Sequence, residues 1–194
     1  EIPDFTFDGE QLSSFSEVSY IHTREKTEWV AGANVWTDKF TEKKLTNFPL
    51  RDYDMTTFGL FIQNNTKITD WMDIESGLRT DYVTDYGFTV LPRISSHFRI
   101  TDKFSSRVGG GFGYKAPTIF SEDSERIQFQ NVLPIDDDKN KLEKSYGANV
   151  DFTYKTGLFD NQVFLSINQL FFYTYLKNPL ELQAANSNQW QFNN

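Results

Sequence analysis

The residue types that most often do chemistry are sparse in this chain and poorly spaced for it. The two histidines, His22 and His97, lie far apart, and neither belongs to an HExxH or a cysteine cluster, so zinc chemistry has no frame. The densest carboxylate run, Asp136-Asp137-Asp138, lacks the glycine and terminal glutamate of a calcium loop and reads as a solvated loop tip. Gly109-Gly110-Gly111 and Gly113 form no phosphate cradle, because no Lys-Ser/Thr closes the pattern and no helix is predicted after it. Serine, histidine and aspartate are all present, yet no nucleophile elbow or ordered triad can be read. The expectation is no catalytic residue, no resident metal, no cofactor and no enzyme activity.

What remains is recognition. Glu122, Asp123, Glu125, Arg126, Gln128, Phe129 and Gln130 crowd into the longest polar connection, residues 116–142. They read either as ligand contacts carried by a loop on a rigid scaffold or as plain solvated surface. A second set, Asp73, Glu75, Arg79, Arg93, Arg99 and Arg107, recurs at every second position of extended segments, where neighbours can pair across strands.

The elements that position these residues are strands. Around the glycine-rich stretch, Phe104, Ser106, Val108, Gly110, Phe112 and Tyr114 take one face, and Ser105, Arg107, Gly109, Gly111, Gly113 and Lys115 the other. So many glycines weaken a strand unless it bends or another segment comes close. Ala116-Pro117 then stops it. Residues 72–82 alternate most clearly, with Met72, Ile74, Leu78 and Tyr82 against Asp73, Glu75, Gly77, Arg79 and Asp81. The same two-environment pattern recurs over 28–39, 56–66, 89–101, 146–155 and 162–175, with a first, mixed segment over 12–22. Ile74, Leu78, Ile94, Phe98, Val108, Phe112, Val150 and Phe152 are expected on an apolar side. Asp73, Arg79, Arg93, Arg107, Asn149 and Asp151 are expected on the wet one.

These segments run about 10–13 residues, longer than the strands of soluble sheets and long enough to cross a bilayer at a tilt. Their connections alternate. Those near 23–26, 67–70, 101–103 and 157–161 are short, and those near 41–54, 83–88, 116–142 and 177–190 are mostly longer, as in outer-membrane barrels. No stretch of about 18 apolar residues exists, so no transmembrane helix is predicted. A mean hydropathy of -0.54 does not argue against a barrel, whose strands alternate between lipid and lumen. The aromatic content of 16% fits either a β-sandwich core or lipid-facing strands with aromatic girdles at the two interfaces. A net charge of -8 and a pI near 4.8 argue against nucleic acid. With no cysteine there is no disulfide or thiolate site. The chain opens at Glu1 without a signal peptide and reads as part of something longer. The predicted fold is all-β, with antiparallel up-and-down strands forming part of a transmembrane β-barrel: about eight strands plus the start of a ninth at Trp190.

Arg107 to Phe120, ending Gly-Tyr-Lys-Ala-Pro-Thr-Ile-Phe, resembles a barrel motif of TonB-dependent outer-membrane receptors, R-x-x-x-G-x-G-[FY]-[RK]-A-P-T. Three further pieces follow the family's order: Gly77-Leu78-Arg79-Thr80-Asp81 like G-x-R-x-D, Pro92-Arg93-Ile94-Ser95 like its P-R strand start, and Asn140-Lys141-Leu142-Glu143-Lys144-Ser145 like N-x-L-x-P-E-x-S. The last lacks the proline and is one residue short. The resemblance covers about residues 56–176 and is closest to siderophore- and cobalamin-type receptors. It implies a barrel of about 22 strands in the bacterial outer membrane, a plug domain in the lumen, coupling to TonB, and a small metal chelate or vitamin as ligand. It also suggests that the lumen charges hold a plug. On this reading residues 1–194 are one partial barrel domain, in which no plug or TonB box is recognised. The alternatives are a small outer-membrane barrel with a structural or adhesive role, and a soluble β-barrel ligand binder of lipocalin type.

Overall fold

The computed structural model describes residues 6–43, 48–160 and 162–194. The start of the acidic N-terminal segment, Asn47 in the 41–54 connection and Asn161 in the 157–161 turn lie outside the described residues. Eight strands, β1 (Gly9–Arg24), β2 (Thr27–Glu42), β3 (Tyr53–Lys67), β4 (Met72–Val83), β5 (Gly87–Arg99), β6 (Phe104–Lys115), β7 (Glu143–Leu158) and β8 (Val163–Lys177), follow one another in a single antiparallel meander. They are longer than the periodicity suggests. The ladders run past the apolar stretch into polar flanking residues, as where Gly9 pairs with Glu42 and Lys144 with Lys177. Strand order equals chain order, so long and short connections gather at opposite ends.

Side-chain period fixes the two faces. Cross-strand partners share a face, so Asp73 opposite His97, Gly77 opposite Arg93, Arg93 opposite Gly111 and Arg107 opposite Asp151 define a polar side. Ile74, Leu78, Ile94, Phe98, Val108, Phe112, Val150 and Phe152 lie on the other, and most are exposed. Val18, Leu60, Leu78, Ile94, Val108 and Phe171 form an exposed apolar band, with nothing among the described residues packed over it. Paired aromatics flank the band. Tyr82–Phe88, Phe112–Tyr146 and Tyr146–Tyr175 lie toward the long connections, with centroids 4.9, 4.7 and 6.2 Å apart. Trp71–Phe98 and Phe104–Phe152 lie toward the short turns, at 6.1 and 6.2 Å.

Two expectations change. Trp190 does not open a ninth strand of the sheet. It belongs to β10 (Gln189–Asn193), which pairs only with β9 (Glu181–Asn186) and bridges to Val132. The Trp190 amide donates to the Asn131 carbonyl at 2.9 Å, which draws this hairpin onto the 116–142 connection rather than onto β8. Tyr114, in turn, departs from the face its alternation assigns. The β5–β6 ladder covers only Arg93–Arg99 against Ser105–Gly111, and beyond it the Tyr114 hydroxyl reaches the polar side.

Candidate functional site

The polar face carries paired charges. Arg93 donates to Glu75 at 2.5 Å. Arg99 is hydrogen-bonded to Asp73, whose carboxylate also lies 3.6 Å from His97 Nδ1. Arg79 Nε donates to Asp81 at 2.8 Å. Arg107 faces Asp151 in register but makes no ion pair among the described residues. The structure thus puts Asp73, Glu75, Arg79, Arg93, Arg99 and Arg107 on one face and pairs all but Arg107. Glycine makes room for the arginines. The Arg93 stem runs between Gly77 and Gly111, where an added methyl would approach it to 3.2 and 3.0 Å.

Toward the long connections the face closes into a network that the sequence reading did not find. Asp81 is 1% exposed. It accepts from Arg79 and, at 2.9 Å, from the Tyr114 hydroxyl. Arg79 Nη2 donates to Asn34 Oδ1 at 3.2 Å, and Asn34 Nδ2 to Glu17 at 3.4 Å. A buried carboxylate is tolerable only with such partners. Gly59 is the condition for it. A methyl there would lie 2.5 Å from Asn34 Oδ1, 2.7 Å from Asp81 Oδ1 and 2.8 Å from Arg79 Nη2. That glycine, inside the strand predicted over 56–66, was the one signal in the sequence that something crosses here.

Beside this network lies a concavity of about 530 Å³, lined by Phe15, Trp36, Asp38, Met55, Leu91 and Lys115 among others. Phe15 and Trp36 are register partners on the polar face. Asp38 accepts from Ser13 at 2.6 Å, Gln11 at 2.9 Å and Tyr53 at 3.2 Å, all neutral donors.

Over the rim the long connections fold together. Phe40, Ile119, Val132 and Phe192 form a buried cluster, joined by Phe7, Tyr53, Phe120, Ile127, Ile135, Leu180 and Leu182. Arg51 is 1% exposed. It pairs with the equally buried Glu42 and donates from Nη1 to the Phe129 carbonyl at 2.6 Å. Phe7 and Phe48 stack over its guanidinium, 4.8 and 5.6 Å from centroid to Cζ. Tyr86 donates to Asp137 at 2.6 Å, so this part of the aspartate run is tethered rather than a free loop tip. Burial, and then the Asp137 carboxylate, hold the Tyr86 phenol well above its ordinary pKa.

Of the sequence-predicted loop residues, Glu122, Asp123 and Arg126 are exposed on a single helical turn, α1 (Glu122–Arg126), with Glu122 and Arg126 paired at 3.3 Å. Ser121 caps it by accepting from the Ser124 amide. Gln128 and Phe129 follow in left-handed backbone, with φ of 56° and 59°. For phenylalanine this is costly and persists only where neighbours over-determine it. Here the Phe129 amide donates to the Ser124 carbonyl at 2.8 Å, its carbonyl accepts from Arg51, and its ring stacks on Phe7 at 4.3 Å. Gln130 is half-buried. Among the described residues no group of His, Asp and Glu is placed to hold a metal.

The chain matches the family model described as TonB dependent receptor-like, beta-barrel, over residues 4–194. No curated protein matches it. Solved structures with the same fold include the siderophore receptor PirA from Pseudomonas aeruginosa, at 13% identity and TM-score 0.71, covering 96% of this chain and 34% of that one. The ferric enterobactin receptor PfeA from the same organism aligns at 16% identity and TM-score 0.70, with 98% and 32% coverage. The FrpB iron transporter from Neisseria meningitidis aligns at 15% identity and TM-score 0.73, with 96% and 31% coverage. This chain spans about a third of the length of each. By its match over nearly every residue and its eight-stranded meander, the chain belongs to the TonB-dependent receptor β-barrel family.

Proposed function

We propose that this chain is a stretch of the wall of a bacterial outer-membrane receptor that imports a small metal chelate of siderophore type, or a vitamin-like ligand, in a cycle driven by TonB. One observation carries this reading: a single sheet presents an uncovered apolar band with flanking aromatics on one face and paired charges on the other. An apolar surface of this extent needs a lipid-like cover, and an arginine facing lipid at the bilayer midplane would cost about 2–4 kcal/mol. On this reading the apolar face meets outer-membrane lipid and the polar face lines the lumen. A plug domain packs against the Arg93 and Arg107 region, and the rim lobe stands outside the cell. Glu122, Asp123, Arg126, Gln128 and Gln130 then contact ligand, while Phe129 holds the lobe in shape.

A closed eight-stranded barrel, adhesive or lipocalin-like, fits less well. Among the described residues β1 and β8 do not pair, and a small barrel must remove its edges by closing. The test uses the full-length receptor in its own bacterium. Deleting the gene is expected to abolish energy-dependent uptake of one labelled ferric chelate or corrinoid, and loss of TonB to do the same. Unchanged uptake of every candidate, or uptake that ignores TonB, would refute the proposal. Alanine at Glu122, Asp123 and Arg126 together should weaken ligand binding with the barrel still assembled. Unchanged affinity would remove the three from the site.

A further inference from the structure

Resting on the import reading above, we infer that the concavity under the rim lobe takes a ligand of zero or positive net charge with a flat or apolar surface, and rejects polyanionic chelates. The first ground is the pair Phe15 and Trp36. On β1 to β3 the neighbouring polar-face positions are Ser13, Asp38, Glu17, Asn34 and Gly59, yet at this rung two aromatic rings stand side by side, 59% and 52% exposed among the described residues. Met55 and Leu91 extend the same apolar lining. About 530 Å³ is the size of a small-molecule site.

The second ground is charge. Arg79 and Asp81 neutralise each other in the wall. Asp38 keeps its carboxylate with three neutral donors and no cation. Lys115, the lining cation without an ion pair among the described residues, stands in register with Glu143. Asp52, Asp85 and Asp137 line the neighbouring hollow, which shares Met55 with this one, and make no ion pair among the described residues, within a chain of net charge -8. Carboxylates without a cation beside a site repel approaching anions and concentrate cations, with effects of roughly 10- to 1000-fold that fade as salt rises. Rings that stack a planar or cationic group supply the contact energy.

Binding of three probes to the purified full-length receptor tests this: a neutral ferric trihydroxamate, the neutral corrinoid cyanocobalamin, and a trianionic ferric tris-catecholate. A neutral probe is expected to bind at least about tenfold more tightly than the trianion at low salt, with the gap narrowing at high salt. Trp36→Ala and Phe15→Ala should each weaken that probe by roughly tenfold without altering barrel assembly. Because the chain has no cysteine, Met55→Cys gives a single label site in it, expected to react with a water-soluble maleimide in the free receptor and to be protected by the neutral probe. Tightest binding of the trianion would overturn the inference and leave the import reading standing. Full affinity in both aromatic variants, or a Met55→Cys site already covered in the free receptor, would likewise overturn the inference alone. Failure of all three probes to bind, together with no TonB-dependent uptake, would overturn both.

Discussion

Tyr114 donates its hydroxyl to Asp81 at 2.9 Å, although strict alternation along β6 puts Tyr114 beside Phe112 on the apolar face. The bond joins the end of β6, just before Ala116-Pro117, to the buried carboxylate of β4. It thereby ties the root of the 116–142 connection to the wall network of Arg79, Asn34 and Glu17.

Tyr114→Phe removes one donor and leaves Asp81 buried with Arg79 alone. A hydrogen bond to a charged group contributes about 1.5–3 kcal/mol. Denaturant unfolding of the full-length receptor in detergent should show a loss of that size. A change under a few tenths would mean that water replaces the phenol.

Gly59→Ala places a methyl against three polar atoms of the same network. The expected loss is about 1–3 kcal/mol, as for other overpacked sites. Gly87→Ala, where nothing stands near the added methyl but φ is +79°, serves as a contrast in mechanism. Its cost is local backbone strain, so its loss should leave the spectroscopic environment of Trp36 unchanged, while that of Gly59→Ala should not.

Arg51 and Glu42 are predicted to be far more harmful to remove singly than together. Deleting one partner of a buried pair costs about 3–5 kcal/mol, whereas an apolar replacement of both is often near neutral. Arg51→Met or Glu42→Gln should expose the rim lobe to limited proteolysis around Arg126 and Lys139. Arg51→Met combined with Glu42→Leu should restore part of the protection, the remainder being the lost bond to the Phe129 carbonyl. Equal cleavage in all three variants would show that the pair itself does not hold the lobe.

The tether from Tyr86 to Asp137 gives the lobe an alkaline limit. The folded-state pKa of Tyr86 is raised above the ordinary value of 10.0. Its stabilisation is therefore complete below about pH 10 and is lost as pH climbs from there toward the raised folded value. Proteolysis of the lobe should rise above pH 10 in the parent receptor, and Tyr86→Phe should flatten that rise. An identical pH profile in the variant would contradict the assignment.

Membrane facing is checked by single cysteines in the full-length receptor. Leu78→Cys and Ile94→Cys should be labelled by a lipid-soluble reagent, and Arg79→Cys and Arg93→Cys by a water-soluble one. Labelling of Leu78→Cys and Arg79→Cys from the same phase would contradict the two-faced sheet.

Much of this molecule is legible in the sequence because a strand has a period of two and a barrel wall has two solvents. Alternation at residues 72–82, 89–101 and 104–113 alone assigns Leu78, Ile94 and Val108 to one face and Arg79, Arg93 and Arg107 to the other. Alternating loop lengths predict which connections share a rim, and motif order indicates the family. Tertiary structure decided what alternation cannot encode. Arg51 meets Phe129 across 78 residues, and nothing local in either segment signals it, since a guanidinium is buried only where a distant carbonyl and carboxylate happen to converge. Trp190 reads as strand from its neighbours, but whether it extends the sheet or closes a hairpin depends on which edge offers partners, and Asn131 and Val132 offered them. Tyr114 shows the same physics at one residue. Backbone periodicity sets where a side chain starts, and a buried carboxylate with room for a further donor sets where it ends.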